Sequence, residues 1–161
     1  MLYPFSNVSD FKTLGLSDPV LQALADIGYT DPSPIQEQAI PKLLAGHDVI
    51  GQAQTGTGKT AAFGLPLIEK VDPESNEVQA LILTPTRELC IQVTQALRAY
   101  GKYRGLDPVA IFGGADLRQQ QSRLGSGGQI VVGTVGRVKD LIARHSLLLH
   151  SCRFIVLDEA D

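Results

Sequence analysis

The octapeptide Ala53-Gln54-Thr55-Gly56-Thr57-Gly58-Lys59-Thr60 constrains this chain more than any other feature. It fits the phosphate-loop pattern G-x-x-x-x-G-K-[ST], with Ala in place of the first Gly. Residues 48–52, Asp-Val-Ile-Gly-Gln, read as a short strand before it, and a helix opens at Lys59 and runs to about Val71. Gly56 and Gly58 allow the backbone to turn its N–H groups towards an anion with no Cβ in the way. The N-terminus of the following helix adds partial positive charge. Lys59 is then placed to reach the β- and γ-phosphates of a nucleotide, and the Thr60 hydroxyl to ligate Mg²⁺. The competing reading is an ordinary Gly/Thr turn between a strand and a helix.

Around this loop the chain alternates. Ser17-Asp18-Pro19 opens an apolar-periodic helix through Ile27, closed by Gly28. Ser33-Pro34-Ile35-Gln36 offers an N-cap, Pro at the first helical position and Gln at the third, for a helix to about Leu44. Strands are expected at 78–83, 109–112, 130–132 and 154–157. Between them, helices are expected from the Thr86 cap to about Tyr103, from Ala115 to Leu124, and from Val138 to His145. Strands alternating with helices imply a parallel sheet covered on both faces, a three-layer α/β sandwich with ligands at the carboxyl ends of the strands. Residues 1–46 form a helical lead-in and 47–161 the α/β core of one domain.

Composition narrows the class without fixing it. A chain of 161 residues with 43% apolar and 19% charged residues is globular, not disordered. A net charge of −3 excludes binding by a general coat of basic residues but not a local basic groove. Two cysteines give no disulfide framework, and no metal-ligand spacing surrounds them or the three histidines. The leader has no basic region followed by an apolar run. No apolar stretch approaches the ~20 residues that span a bilayer. The expected setting is the reducing cytoplasm.

The chain ends on a second chemical signal. The apolar run Phe154-Ile155-Val156-Leu157 leads into Asp158 and Glu159. Alone, this reads more readily as a solvated strand end. Paired with a phosphate loop, it places Asp158 to hold Mg²⁺, partly through water, and Glu159 to orient and deprotonate an attacking water.

The last four residues spell Asp158-Glu159-Ala160-Asp161. With the octapeptide upstream, the sequence resembles the first RecA-like domain of a DEAD-box RNA helicase, from about Phe11 to Asp161. Gly28-Tyr29-Thr30-Asp31-Pro32-Ser33-Pro34-Ile35-Gln36 resembles the family's Q motif. The resemblance implies that Gln36 reads adenine, Tyr29 stacks on it and Phe11 supports the pocket. A Gln amide donates and accepts as adenine N6 and N7 require; Gln36 is equally suited to a capping box with Ser33. Pro85-Thr86-Arg87-Glu88-Leu89 matches the PTREL motif, and Gly113-Gly114 the GG doublet. Thr134-Val135-Gly136-Arg137 matches TPGR with Val for Pro. By resemblance these segments contact the RNA backbone without reading its sequence, through Pro85, Thr86, Arg87, Gly113, Gly114, Thr134, Gly136 and Arg137. Either arginine alone would as readily form a salt bridge. Val135 lacks the preset φ of Pro, so a less preorganised loop is expected there.

The resemblance implies ATP or ADP and Mg²⁺ as ligands, RNA as partner, and ATP-driven remodelling of RNA duplexes. The family's second RecA-like domain carries the arginine fingers and half of the RNA site. The chain alone is therefore expected to bind adenine nucleotide with little turnover. A phosphate-loop NTPase of another class and a non-catalytic nucleotide- or RNA-binding module are the alternatives.

Overall fold

The computed structural model of the chain describes residues 10–160. Four strands, β1 (Ala80–Thr84), β2 (Pro108–Ile111), β3 (Ile130–Thr134) and β4 (Phe154–Leu157), form one parallel sheet in the order β2-β3-β1-β4. The registers Thr84↔Thr134 and Leu83↔Leu157 bring the carboxyl ends of β3, β1 and β4 level. A 3-10 helix at Phe11–Leu14 precedes six α-helices: α1 (Asp18–Asp26), α2 (Pro34–Leu44), α3 (Lys59–Lys70), α4 (Arg87–Tyr100), α5 (Leu117–Gly125) and α6 (Val135–Ala143).

The strand period of two divides the apolar residues between two cores. Ala80, Ile82, Ile130 and Val132 share one with Leu24, Ile40, Leu65, Val93 and Leu97 of helices α1 to α4. Leu81, Val131, Val109 and Ile111 face the other, closed by Leu124 of α5 and by Val138 and Leu141 of α6. The result is the expected three-layer α/β sandwich. Phe11, Leu14, Leu16 and Val20 belong to the same core as the sheet, so the helical lead-in is packed into the domain. Glu69 near the end of α3 accepts from the N–H (2.7 Å) and hydroxyl (2.8 Å) of Ser17, tying the start of α1 to the phosphate-loop helix. Both cysteines are free: Cys90 is buried and Cys152 half-buried.

Three expectations need correction. Residues 48–52 form no strand, and Ile50 is fully exposed. An apolar dipeptide becomes a strand only when a neighbour completes its ladder, and no described strand pairs with this segment. Helix α4 stops at Tyr100 rather than Tyr103, capped by Gly101, whose N–H donates to Leu97 O. Helix α6 starts at Val135, not Val138, directly off the extended Thr134. Its apolar stripe disguised the first turn, because Val135-Gly136-Arg137 faces outward.

Candidate functional site

The phosphate loop and the acidic end of β4 meet in one cleft of about 730 Å³, within the range of small-molecule sites. Gly56 (φ +80°) and Gly58 (φ +87°) take the left-handed backbone that the loop requires. Gly58 is the N-cap of α3, so Lys59 and Thr60 open that helix with its free N–H groups beside the cleft. The Thr57 hydroxyl donates back to Gln54 O and closes the loop on itself. At the other wall, Asp158 N donates to Leu83 O (3.0 Å), continuing the β1–β4 ladder by one residue. Glu159 then turns into a left-handed conformation (φ +52°) that non-glycine residues rarely adopt. Its Oε1 lies 2.9 Å from Lys59 Nζ. Asp161 lies outside the described residues.

Thr55, Gly56, Thr57, Gly58, Lys59, Thr60, Asp158 and Glu159 all line the cleft. Ala53 does not: it faces a smaller neighbouring cavity of about 240 Å³ with Pro34, Ile35 and Gln52. Gln54 contributes the loop-closing carbonyl. At the far end are Tyr29 and Gln36. Gln36 is only 4% exposed. Its Oε1 accepts from Ser33 N (2.9 Å) and its Nε2 donates to Gly58 O (3.1 Å). The capping bond is therefore real, and the same amide also grips the phosphate loop. An amide has one further N–H and one further lone pair to offer. Phe11 is buried with its ring stacked against Tyr29 (centroids 6.4 Å, 22° between planes) and does not line the cleft itself.

Sequence reading missed the third wall. Leu89, Gln92, Ala96 and Tyr100 of α4 line the cleft. Their spacing of three and four residues marks one helical face. Which cavity that face meets follows only from the packing of α4 on α3. Tyr100 leans against Tyr29 (centroids 6.3 Å, tilted by 55°). Burial, and then the adjoining Tyr29 hydroxyl, push its own hydroxyl well above the ordinary value.

The electrostatics suit a cation. Burial is the main cause that raises the Asp158 carboxyl above its usual range; the charge of Glu159 adds to the rise, and Lys59 opposes it. Two adjacent carboxylates, one half-buried, favour a bound positive charge beside them. Thr60 and Asp158 on facing walls supply hydroxyl and carboxylate oxygens, the hard donors that Mg²⁺ prefers. Among the described residues no group of three or more His, Cys, Asp or Glu side chains converges, so a metal here would share its shell with water or phosphate.

A second cluster lies at the carboxyl ends of β1, β2 and β3. Pro85, Thr86, Arg87, Gly113, Gly114 and Gly136 are exposed, and Thr134 and Arg137 partly so. Thr86 caps α4, its Oγ1 accepting from Leu89 N (3.2 Å). The Arg87 guanidinium sits 4.8 Å from the centre of the Phe112 ring. Arg137 Nη1 donates to Ala115 O (3.3 Å) and to Gln120 Oε1 (2.9 Å). Among the salt bridges of the described residues, neither arginine takes part. Segments fifty residues apart in sequence thus form one surface carrying two arginines outside any salt bridge of the described residues.

The chain resembles known proteins along almost its whole length. The family model described as DEAD/DEAH box helicase matches residues 33–161. An ATP-dependent RNA helicase CshA of Limosilactobacillus reuteri is 54% identical over 94% of the chain, which covers 30% of that relative. The RNA helicase CrhR of Synechocystis is 53% identical over 95% of the chain and 31% of the relative. Among solved structures, a DEAD box protein from Methanococcus jannaschii superposes with a TM-score of 0.90 at 41% identity, over 94% of this chain and 42% of that one. The RNA helicase Prp28 from Chaetomium thermophilum bound to ADP gives 0.88 at 40% identity, over 98% and 40%. The chain spans less than a third of the length of these curated relatives.

Proposed function

The chain belongs to the DEAD/DEAH box helicase family, and we propose that it is the ATP-binding half of an ATP-dependent RNA helicase, acting in the cytoplasm to remodel RNA duplexes. The observation that carries this reading is the convergence on one cleft of a phosphate loop, an acid pair and a buried glutamine. Lys59 of the loop already touches Glu159 of the acid pair.

The residues divide the work along the cleft. Gln36 offers its remaining donor and acceptor to the adenine edge, and Tyr29, backed by Phe11, offers a stacking face. The Gly56 and Gly58 backbone and the α3 N-terminus receive the phosphates. Lys59 leaves Glu159 to hold the β- and γ-phosphate oxygens. Thr60 and Asp158 would hold Mg²⁺, which would supply positive charge to offset the negative charge developing on the phosphates. Glu159, released from Lys59, orients a water in line with the γ-phosphorus and takes its proton. The surface formed by Thr86, Arg87, Gly113, Gly114, Thr134, Gly136 and Arg137 takes the RNA backbone through positive charge and exposed main chain.

Base selectivity tests the reading. The chain should prefer ADP to GDP in the presence of Mg²⁺, and Gln36→Ala should remove most of that preference. Equal affinity of the unsubstituted chain for both nucleotides would argue for a generic phosphate site. The chain alone should show no RNA-stimulated ATP turnover, since arginine fingers from elsewhere contribute on the order of 10³–10⁵ to such rates.

A further inference from the structure

The geometry points to Gln120 as the residue that positions the RNA-facing surface: a buried amide that orients Arg137 without neutralising it and fixes the Gly113-Gly114 turn to the same point. The inference rests on the RNA reading given above.

Helix α5 is polar, and only Gln120 and Leu124 of its residues are buried. Leu124 joins the core beneath the sheet. Gln120, 6% exposed, does something else. A buried amide without partners costs about 1–3 kcal/mol, and this one has a partner at each end. Nε2 donates to Phe112 O (3.1 Å), and Oε1 accepts from Arg137 Nη1 (2.9 Å). Arg137 Nη1 also donates to Ala115 O (3.3 Å). The carbonyls on either side of the glycine pair are thus both tied down, and the two glycines between them stand exposed.

The choice of an amide matters. A glutamate at this position would accept from Arg137 equally well, but its charge would cancel that of the guanidinium. It would also lack the N–H that holds Phe112 O. Glutamine orients the arginine with a neutral acceptor and leaves the full positive charge for an anion outside. Phe112, held through its carbonyl, in turn carries Arg87 on its ring. One side chain therefore sets the stage for both arginines and for the turn between them.

The test is the affinity of the chain for a labelled oligouridine strand, measured by fluorescence anisotropy over a series of salt concentrations. Gln120→Glu should weaken binding roughly tenfold, a change of about 1.4 kcal/mol. It should also flatten the dependence of log K on log salt by about 0.7, the value of one phosphate contact to a single strand. Affinity for ADP, bound in the other cleft, should not change. Gln120→Leu should weaken binding less in the Arg137→Ala background than in the unsubstituted chain, because the part of its effect that passes through the Arg137 guanidinium is already lost there. Two outcomes overturn the inference: an unchanged salt slope in Gln120→Glu, or a loss from Gln120→Leu that is the same with and without Arg137. A chain that binds ADP but no oligouridine overturns the RNA reading itself, and this inference with it. Should Gln120→Leu fail to fold, Gln120→Glu, which preserves shape, still decides.

Discussion

Lys59 Nζ and Glu159 Oε1, a hundred residues apart in sequence, lie 2.9 Å apart across the mouth of the cleft. The two side chains are 25% and 38% exposed, so solvent screens the pair, which is worth at most about 1 kcal/mol. In the proposed reading each partner has another task once nucleotide binds. Glu159→Gln should therefore abolish hydrolysis in the complete helicase yet raise nucleotide affinity of this chain, by up to about fivefold. Lys59→Ala should lose affinity instead. Titration calorimetry with ADP and Mg²⁺ separates the two; a fall in affinity for Glu159→Gln would show that the pair supports the site rather than competing with its ligand.

A side chain at Gly58 would displace Gln36. A Cβ there would lie 2.2 Å from Gln36 Nε2, on a backbone with φ +87°. Gly58→Ala should push Gln36 off the loop and reduce affinity for adenine nucleotides by more than about tenfold, with the fold retained. Circular dichroism and calorimetry on one sample read both. Gly56, with open space around it, meets only the conformational penalty and should tolerate Ala better.

Val135 holds the first position of α6, preceded by Thr134 in extended conformation (φ −83°, ψ 146°). Proline favours that position and that predecessor. The Val135 side chain is 51% exposed, so little packing is lost on replacing it. Val135→Pro should stabilise the chain by about 0.4–1 kcal/mol in urea unfolding, mainly by restricting the unfolded state. Loss of stability would mean that the Val135 N–H has a partner the helix start does not supply.

Tyr100 makes the domain sensitive to alkali. Its hydroxyl is raised, chiefly by burial, so the native state keeps a proton that the unfolded chain releases near pH 10. Stability is full below that value and falls as pH rises above it, by up to about 1.4 kcal/mol per unit for one such group. Tyr100→Phe keeps the ring and should flatten the decline in a pH series of urea midpoints. An unchanged decline would place the sensitivity elsewhere.

Much of this was legible in the sequence because it is local. The Ser17, Ser33 and Thr86 starts, the apolar strands and the glycine-bent loop are written within a few residues of where they act. The strand expected at 48–52 failed because a ladder needs a partner, and neighbours are not visible in a strand's own residues. The outward first turn of α6 was hidden because apolar periodicity reports the core face only. Gln120 falls inside the helix expected from Ala115 to Leu124, but nothing in the run Arg118-Gln119-Gln120-Gln121 says which amide turns inward. Similarly, Gln36 could be assigned a cap or a base contact, but its bond to Gly58 appears only once α2 lies against the loop.

Helix α4 begins beside one surface and flanks the other. Its first residue, Arg87, belongs to the positive cluster, while Leu89, Gln92, Ala96 and Tyr100 along its length form a wall of the cleft. One helix therefore borders both places, and the packing that fixes α4 fixes Arg87 and the α4 wall of the cleft together.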